Sequence, residues 1–397
     1  MNENIDSAPM ASVAVPAVVP AVVPAVVPAV VPAVVPAVVP AVVPAVVPVA
    51  APLMLSDEDV IGHTKLHDSA AYFVFPPRHV SRFSGPKAAD ALNGLISNDV
   101  LKIDVGRGLY AVALAPKGKL LADVSVFRIA SETFLIETSA LAGAEWMSMV
   151  RKYVNPRLAQ YKDESSSYAA IGVYGPDAAS VIARLGVDGN SDPELASVLQ
   201  TALSNFVDWS HAPWQLPGTD ARLIRAPYLG SLPGFVLLLD SSSLDIVRAR
   251  LERIGATFAS NDVWAMAQLE AGRPVFGLDM DATTIPQEAN LDDWQAISYD
   301  KGCYTGQETV ARIHFRGHVN KHLRGLVSDN VLANGASVHD AAGNVVGDVR
   351  RSGHSPTHGP IAIAMLRREL NNDDVVTVGD GESAHITSLP FLSAPSK

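Results

Sequence analysis

From Ala17 to Pro48 the chain repeats Ala-Val-Val-Pro eight times. Proline at every fourth position closes off regular helix, because each ring removes a hydrogen bond and crowds the preceding turn, at about 3 kcal/mol apiece. The valines make the stretch apolar enough to suggest a membrane span, yet the summed proline penalty exceeds what they gain, so no membrane association is expected. A secretory signal does not fit either, since no basic region precedes the repeat. A mitochondrial transit peptide would be rich in arginine, whereas the first Lys or Arg is Lys65. The repeat is expected to be extended or polyproline-II-like and mobile: a spacer, a docking segment, or a repeat expansion without a role.

The repeat inflates the 48% hydrophobic content, so the rest of the chain is more ordinary than that figure implies. Net charge is −11, of which −5 lies in residues 1–64. An acidic chain is a poor non-specific binder of nucleic acid, because phosphate contacts need Lys and Arg. The single cysteine, Cys303, excludes an intrachain disulfide and any four-cysteine zinc or iron–sulfur site built by this chain alone. A reducing, cytoplasmic setting fits.

The rest reads as three parts after a disordered segment 1–64: an N-terminal α+β unit (65–166), a second α+β unit (167–320) and a C-terminal β domain (321–397). In the first, residues 72–75 form a strand and Ser84-Gly85-Pro86 opens a helix with apolar positions at Ala88, Ala91, Leu92, Leu95 and Ile96. Residues 109–115 and 120–129 form a hairpin across Pro116-Lys117-Gly118-Lys119. Its alternation places Leu121, Asp123, Ser125 and Phe127 on one face. A carboxylate among apolar neighbours either faces a ligand cavity or pairs locally. A strand at 134–138 and a helix at 141–154 complete the unit. The second unit has strands at 170–174, 221–226 and 234–240 and helices at 177–185, 194–203, 243–254 and 262–271. Short strands separated by turn residues, such as the loop Asp340-Ala341-Ala342-Gly343-Asn344, predict a small barrel or sandwich at the end.

Between the second unit and the β domain lies Tyr-Asp-Lys-Gly-Cys-Tyr-Thr-Gly-Gln-Glu, residues 299–308. Glycines flank Cys303 and Lys301 lies two residues before it; a thiol near cations ionises more readily than one in apolar surroundings. From Arg312 to Arg324 there are four Lys/Arg and three His and no acid, which predicts a positive patch suited to carboxylates or phosphates. His314, His318 and His322 are spaced by four, but Gly317 interrupts them and cations crowd them, so no metal is expected there. Glu270 is expected in a structural ion pair with Arg273 or Arg312. No G-x-G-x-x-G after a strand, G-K-[ST] loop or H-E-x-x-H is present.

Lys301, Gly302, Cys303, Tyr304, Thr305, Gly306, Gln307 and Glu308, followed by Arg312, together resemble the signature of the YgfZ family. These are folate-binding proteins implicated in iron–sulfur cluster maintenance and, in bacteria, tRNA modification, and they share a fold with the T protein of the glycine cleavage system, an aminomethyltransferase. The similarity continues through Leu269-Glu270-Ala271-Gly272-Arg273-Pro274 and 285–291 and, more weakly, over about 66–389. It implies an α+β, T-protein-like folate-binding fold of two α+β units plus a small C-terminal β-barrel, with a central cavity where the parts meet. It implies tetrahydrofolate or a derivative as cofactor, with Asp123, Arg312 and Arg316 contributing to its binding. Cys303 would be the catalytic or cluster-handling residue beside that cavity, and an iron–sulfur cluster would be held only transiently, with ligands from a partner. Expected partners are iron–sulfur assembly or client proteins and tRNA, the latter through the 312–324 patch. The alternative is a folate-dependent aminomethyl or one-carbon transferase. Two departures count against it: Ala122-Asp123 stands where aminomethyltransferases carry paired aspartates, and Val236 where they have a glutamate that contacts the pterin.

Overall fold

The computed structural model describes residues 51–187, 192–216 and 218–391; the Ala-Val-Val-Pro repeat lies outside them. Two antiparallel-rich sheets stack face to face, each covered on its outer side by helices. The first sheet runs Gly108–Leu114, Leu120–Ala130, Thr133–Thr138, His79–Ser84, Gln160–Asp163. Helices Ala88–Leu95 and Ala140–Tyr153 cover it, burying Leu92 and Trp146 against Ala122, Val124 and Val126. The second sheet runs Thr257–Phe258, Ala71–Val74, Tyr168–Tyr174, Gly234–Asp240, Thr219–Arg225, His211–Leu216. Helices Ala178–Gly186, Pro193–Ser204 and Leu244–Arg253 close its outer face. Between the sheets, Phe127 and Leu135 meet Phe73, Val236 and Leu238. From residue 122 on, the strand period of two sorts the hairpin as expected: Ala122, Val124 and Val126 face the helices and Phe127 the opposite sheet; Leu121, expected on the inner face, packs with the helix-side core because the register shifts by one beside it.

Two sequence boundaries shift. The strand Ala71–Val74, expected in the first unit, pairs with Tyr168–Tyr174 and belongs to the second sheet; strand pairing is non-local, and a contiguous cut cannot show it. Ordered structure also starts before residue 64. Leu53–Met54 pairs in parallel with Gly353 and His354, and helix Asp57–Asp68 follows. That helix begins with a capping box: the Ser56 hydroxyl accepts from the Asp59 N–H and the Asp59 carboxylate accepts from the Ser56 N–H.

The C-terminal part is a closed six-strand barrel. Around its wall the strands run Val345–Ser355, Ser337–His339, Val375–Val378, Glu382–Thr387, Lys321–Ser328, Gly359–Arg367, and the last pairs again with the first. Closure removes the open edges a small sheet would expose. Leu326, Leu332, Val338, Val376 and Ile386 fill it. Its seam with the sheets holds a buried ion pair, Arg351 Nη2 to Asp279 Oδ2 at 2.9 Å. No described helix is long and apolar enough to cross a membrane.

Candidate functional site

Where the sheets part, a cavity of about 310 Å³ opens, lined among others by Tyr110, Asp123, Ser125, Tyr228, Trp264 and Arg273. Asp123 reaches it from the inward-facing side of strand Leu120–Ala130. Its Oδ2 accepts a hydrogen bond from the Tyr110 hydroxyl at 3.0 Å, while its Oδ1 is buried and has no hydrogen-bond partner. A buried acceptor without a donor costs on the order of 1–3 kcal/mol, so this oxygen is a natural place for a ligand N–H. Tyr228, from the loop after strand Thr219–Arg225, is held by Ser125 Oγ at 3.1 Å and donates to Glu137 at 3.2 Å; Arg78 lies 2.6 Å from the other oxygen of Glu137. Burial pushes the Tyr110 and Tyr228 phenols up, Asp123 adding to the first and Glu137 to the second, so both remain neutral donors.

Arg273 lies on the wall between this cavity and a neighbouring one of about 300 Å³, whose lining includes Asp208, Trp209, Asp293 and Trp294. Its guanidinium is sandwiched between the Tyr110 ring at 4.1 Å and the Trp294 ring at 4.4 Å. The residue is 5% exposed, and among the described residues no carboxylate pairs with it. Stacking on π faces stabilises the cation partly. A buried charge without a counter-ion still favours an incoming anion.

The loop around Cys303 is tied into the architecture away from both cavities. Lys301 is buried, and its Nζ donates to the carbonyls of Asn93, Ile96 and Asn98 at 2.7–2.8 Å, closing the C-terminal end of helix Ala88–Leu95. Burial draws its pKa down to about 8, so it keeps its proton at neutral pH. The Thr305 N–H donates to Gly94 O, and Tyr304 packs beneath the Lys301 ammonium. Gly306 takes φ 82°, and a Cβ there would come within 2.6 Å of the Ala115 carbonyl oxygen. Gln307 then opens helix Gln307–Arg316. Gly302, Cys303, Glu308, Arg312 and Arg316 are exposed.

The structure therefore separates the expected binding set. Asp123 lines the central cavity; Arg312 and Arg316 lie on an exposed helix and line neither cavity, and the arginines that share the cavity with Asp123 are Arg78, paired with Glu137, and Arg273. Cys303 is likewise absent from both linings. Glu270 is buried, but its partners are His63, His67 and Ser355 rather than Arg273 or Arg312. Burial acts to raise its pKa, yet these hydrogen bonds hold it at about 2. His314, His318 and His322 share no helix face, because the helix stops at Arg316 and His322 lies on a barrel strand; His314 instead stacks on Tyr299 at 3.6 Å. Tyr110, Tyr228, Trp264 and Trp294 were not legible as site residues, since isolated aromatics carry no spacing signal.

The chain belongs to the family defined by the GCVT N-terminal domain, whose model matches residues 63–301. It is 28% identical over 345 residues to an aminomethyltransferase of Saccharopolyspora erythraea, covering 84% of this chain and 89% of the relative. It is 28% identical over 320 residues to the tRNA-modifying protein YgfZ of Pectobacterium carotovorum, covering 77% and 86%. The glycine cleavage system aminomethyltransferase T of Bartonella henselae superposes with a TM-score of 0.72 at 21% identity, over 84% of this chain and 89% of that one. The fold is thus that of the T protein.

Proposed function

We propose that this chain binds a reduced folate in the central cavity and acts as an accessory protein in iron–sulfur cluster assembly or repair, indirectly supporting tRNA modification. The observation that carries the folate reading is the meeting of an unpartnered Asp123 oxygen, aromatic walls and the unpaired Arg273 cation in one cavity. A pteridine offers a flat ring with N–H donors, and a glutamyl tail offers carboxylate. Asp123 would take the ring donors, Tyr110, Tyr228 or Trp264 the ring face, and Arg273 the anion. When bound, tetrahydrofolate supplies a carrier for one-carbon groups. The accessory reading draws on the eight-residue loop of the YgfZ type and on its exposed thiol, which a partner protein can reach without entering the cavity. One thiolate is one ligand, so a transient cluster would take the others from that partner. The exposed Arg312 and Arg316 offer tRNA phosphates a surface.

Aminomethyl transfer to tetrahydrofolate is the second reading, and one observation favours it. Ala122 faces the helix-side core, so the carboxylate missing there takes nothing from the cavity. Three measurements separate the readings. Tetrahydrofolate titration should show binding that Asp123→Asn and Arg273→Gln each weaken at least about tenfold; unchanged affinity in both would remove the cavity assignment. A transferase should turn over an aminomethyl-lipoyl carrier with tetrahydrofolate, an accessory factor should not. In cells lacking the protein, Cys303→Ser should fail to restore a cluster-dependent enzyme while binding folate normally; full restoration would end the thiol's role.

A further inference from the structure

His63 and His67 lie four residues apart on helix Asp57–Asp68 and so share one face. Both point at Glu270, the last residue of helix Asn261–Glu270. His63 Nε2 lies 2.8 Å from Glu270 Oε1, and His67 Nε2 lies 3.3 Å from Oε2. Ser355, at the end of barrel strand Val345–Ser355, donates to Oε1 at 2.6 Å and fixes the carboxylate from behind. One ligand atom from each of the three residues lies within 4.8 Å of the others. His63 and Glu270 are buried at 2% and 5% exposure, while His67 is 38% exposed and leaves one side open to solvent.

We propose that His63, His67 and Glu270 form a binding site for a divalent first-row transition ion of the zinc type. Two imidazole nitrogens and one carboxylate oxygen, with the remaining position open, make a borderline donor set that suits Zn²⁺ or Co²⁺ and not Mg²⁺ or Ca²⁺, which demand more oxygen. At a metal–ligand distance of about 2.1 Å, tetrahedral ligand atoms stand roughly 3.4 Å apart. The spacing from His67 to Oε2, the oxygen that Ser355 leaves free, already matches, whereas His63 faces Oε1 and would shift toward Oε2 to complete the set. Binding at Nε2 moves each ring's proton to Nδ1 or to solvent. The ion would tie the first helix, the helix leading to Arg273 and the barrel strand end into one clamp.

The test uses the full chain stripped with chelator and titrated with Zn²⁺ by calorimetry and with Co²⁺ by visible absorption. One ion per chain should bind, and the Co²⁺ band should have tetrahedral intensity. His67→Gln, at a part-exposed position where folding is safe, should lower affinity roughly a hundredfold and abolish the rise in Tm that Zn²⁺ gives the wild type. Cys303→Ser should bind like the wild type. The site is overturned by absence of saturable binding, by wild-type affinity in both His67→Gln and Glu270→Gln, or by loss of binding in Cys303→Ser. None of these outcomes depends on folate or cluster activity.

Discussion

At the scale of single residues, the informative side chains are polar groups whose environment fixes one protonation state. His211 is 4% exposed; its Nε2–H faces the Arg107 carbonyl at 3.1 Å and its Nδ1 accepts from Arg222 at 2.9 Å. Both nitrogens are thus committed to the neutral ring. Burial, with the Arg222 cation beside it, lowers its pKa to about 4. The unfolded chain binds this proton from about pH 6.5 downward, so folding stability present above that pH is lost progressively as pH falls toward 4, by up to about 3 kcal/mol. Urea unfolding at pH 7 and pH 4.5 should show the loss in the wild type and a smaller one in His211→Gln. Asp123 was legible as a cavity candidate because strand alternation fixes its face. Arg273 was not: a lone arginine three residues beyond a helix says nothing about the two aromatic rings that enclose it.

Among the elements, the loop 299–308 shows how a motif and its surroundings can divide the work. Its resemblance to a family signature was plain in the sequence, but the duties of its residues were not. Lys301 caps a helix more than 200 positions earlier. Lys301→Met should leave two buried carbonyls and one half-buried carbonyl without this donor and cost about 2–4 kcal/mol, read as a lower denaturant midpoint at constant m. The continuously apolar strand Gly234–Asp240 and the helix Pro193–Ser204 were legible to within a residue or two. The strands His79–Ser84, Gln160–Asp163 and His211–Leu216 escaped notice, since their polar and mixed residues follow no alternation and their pairing partners, not their composition, make them strands.

For the whole molecule, the three-part plan and the terminal barrel could be inferred, whereas the partner of each part could not. The buried Arg351–Asp279 pair at the barrel's seam is an example: 72 residues separate its members, and desolvation raises the Asp279 pKa against the pull of Arg351. Removing one partner strands the other. Arg351→Met should therefore destabilise by about 3–5 kcal/mol, while Arg351→Met with Asp279→Leu should recover much of that, as thermal unfolding of the two variants will tell.

The fastening of the Cys303 loop has one more consequence. By position in the chain the thiol belongs with the second sheet's half, yet Lys301, Thr305 and Gly306 are moored to residues 93–98 and 115 of the first. The sulfur is a passenger of the opposite half. A fragment beginning after residue 167 would keep the motif intact on paper and lose the berth that presents it.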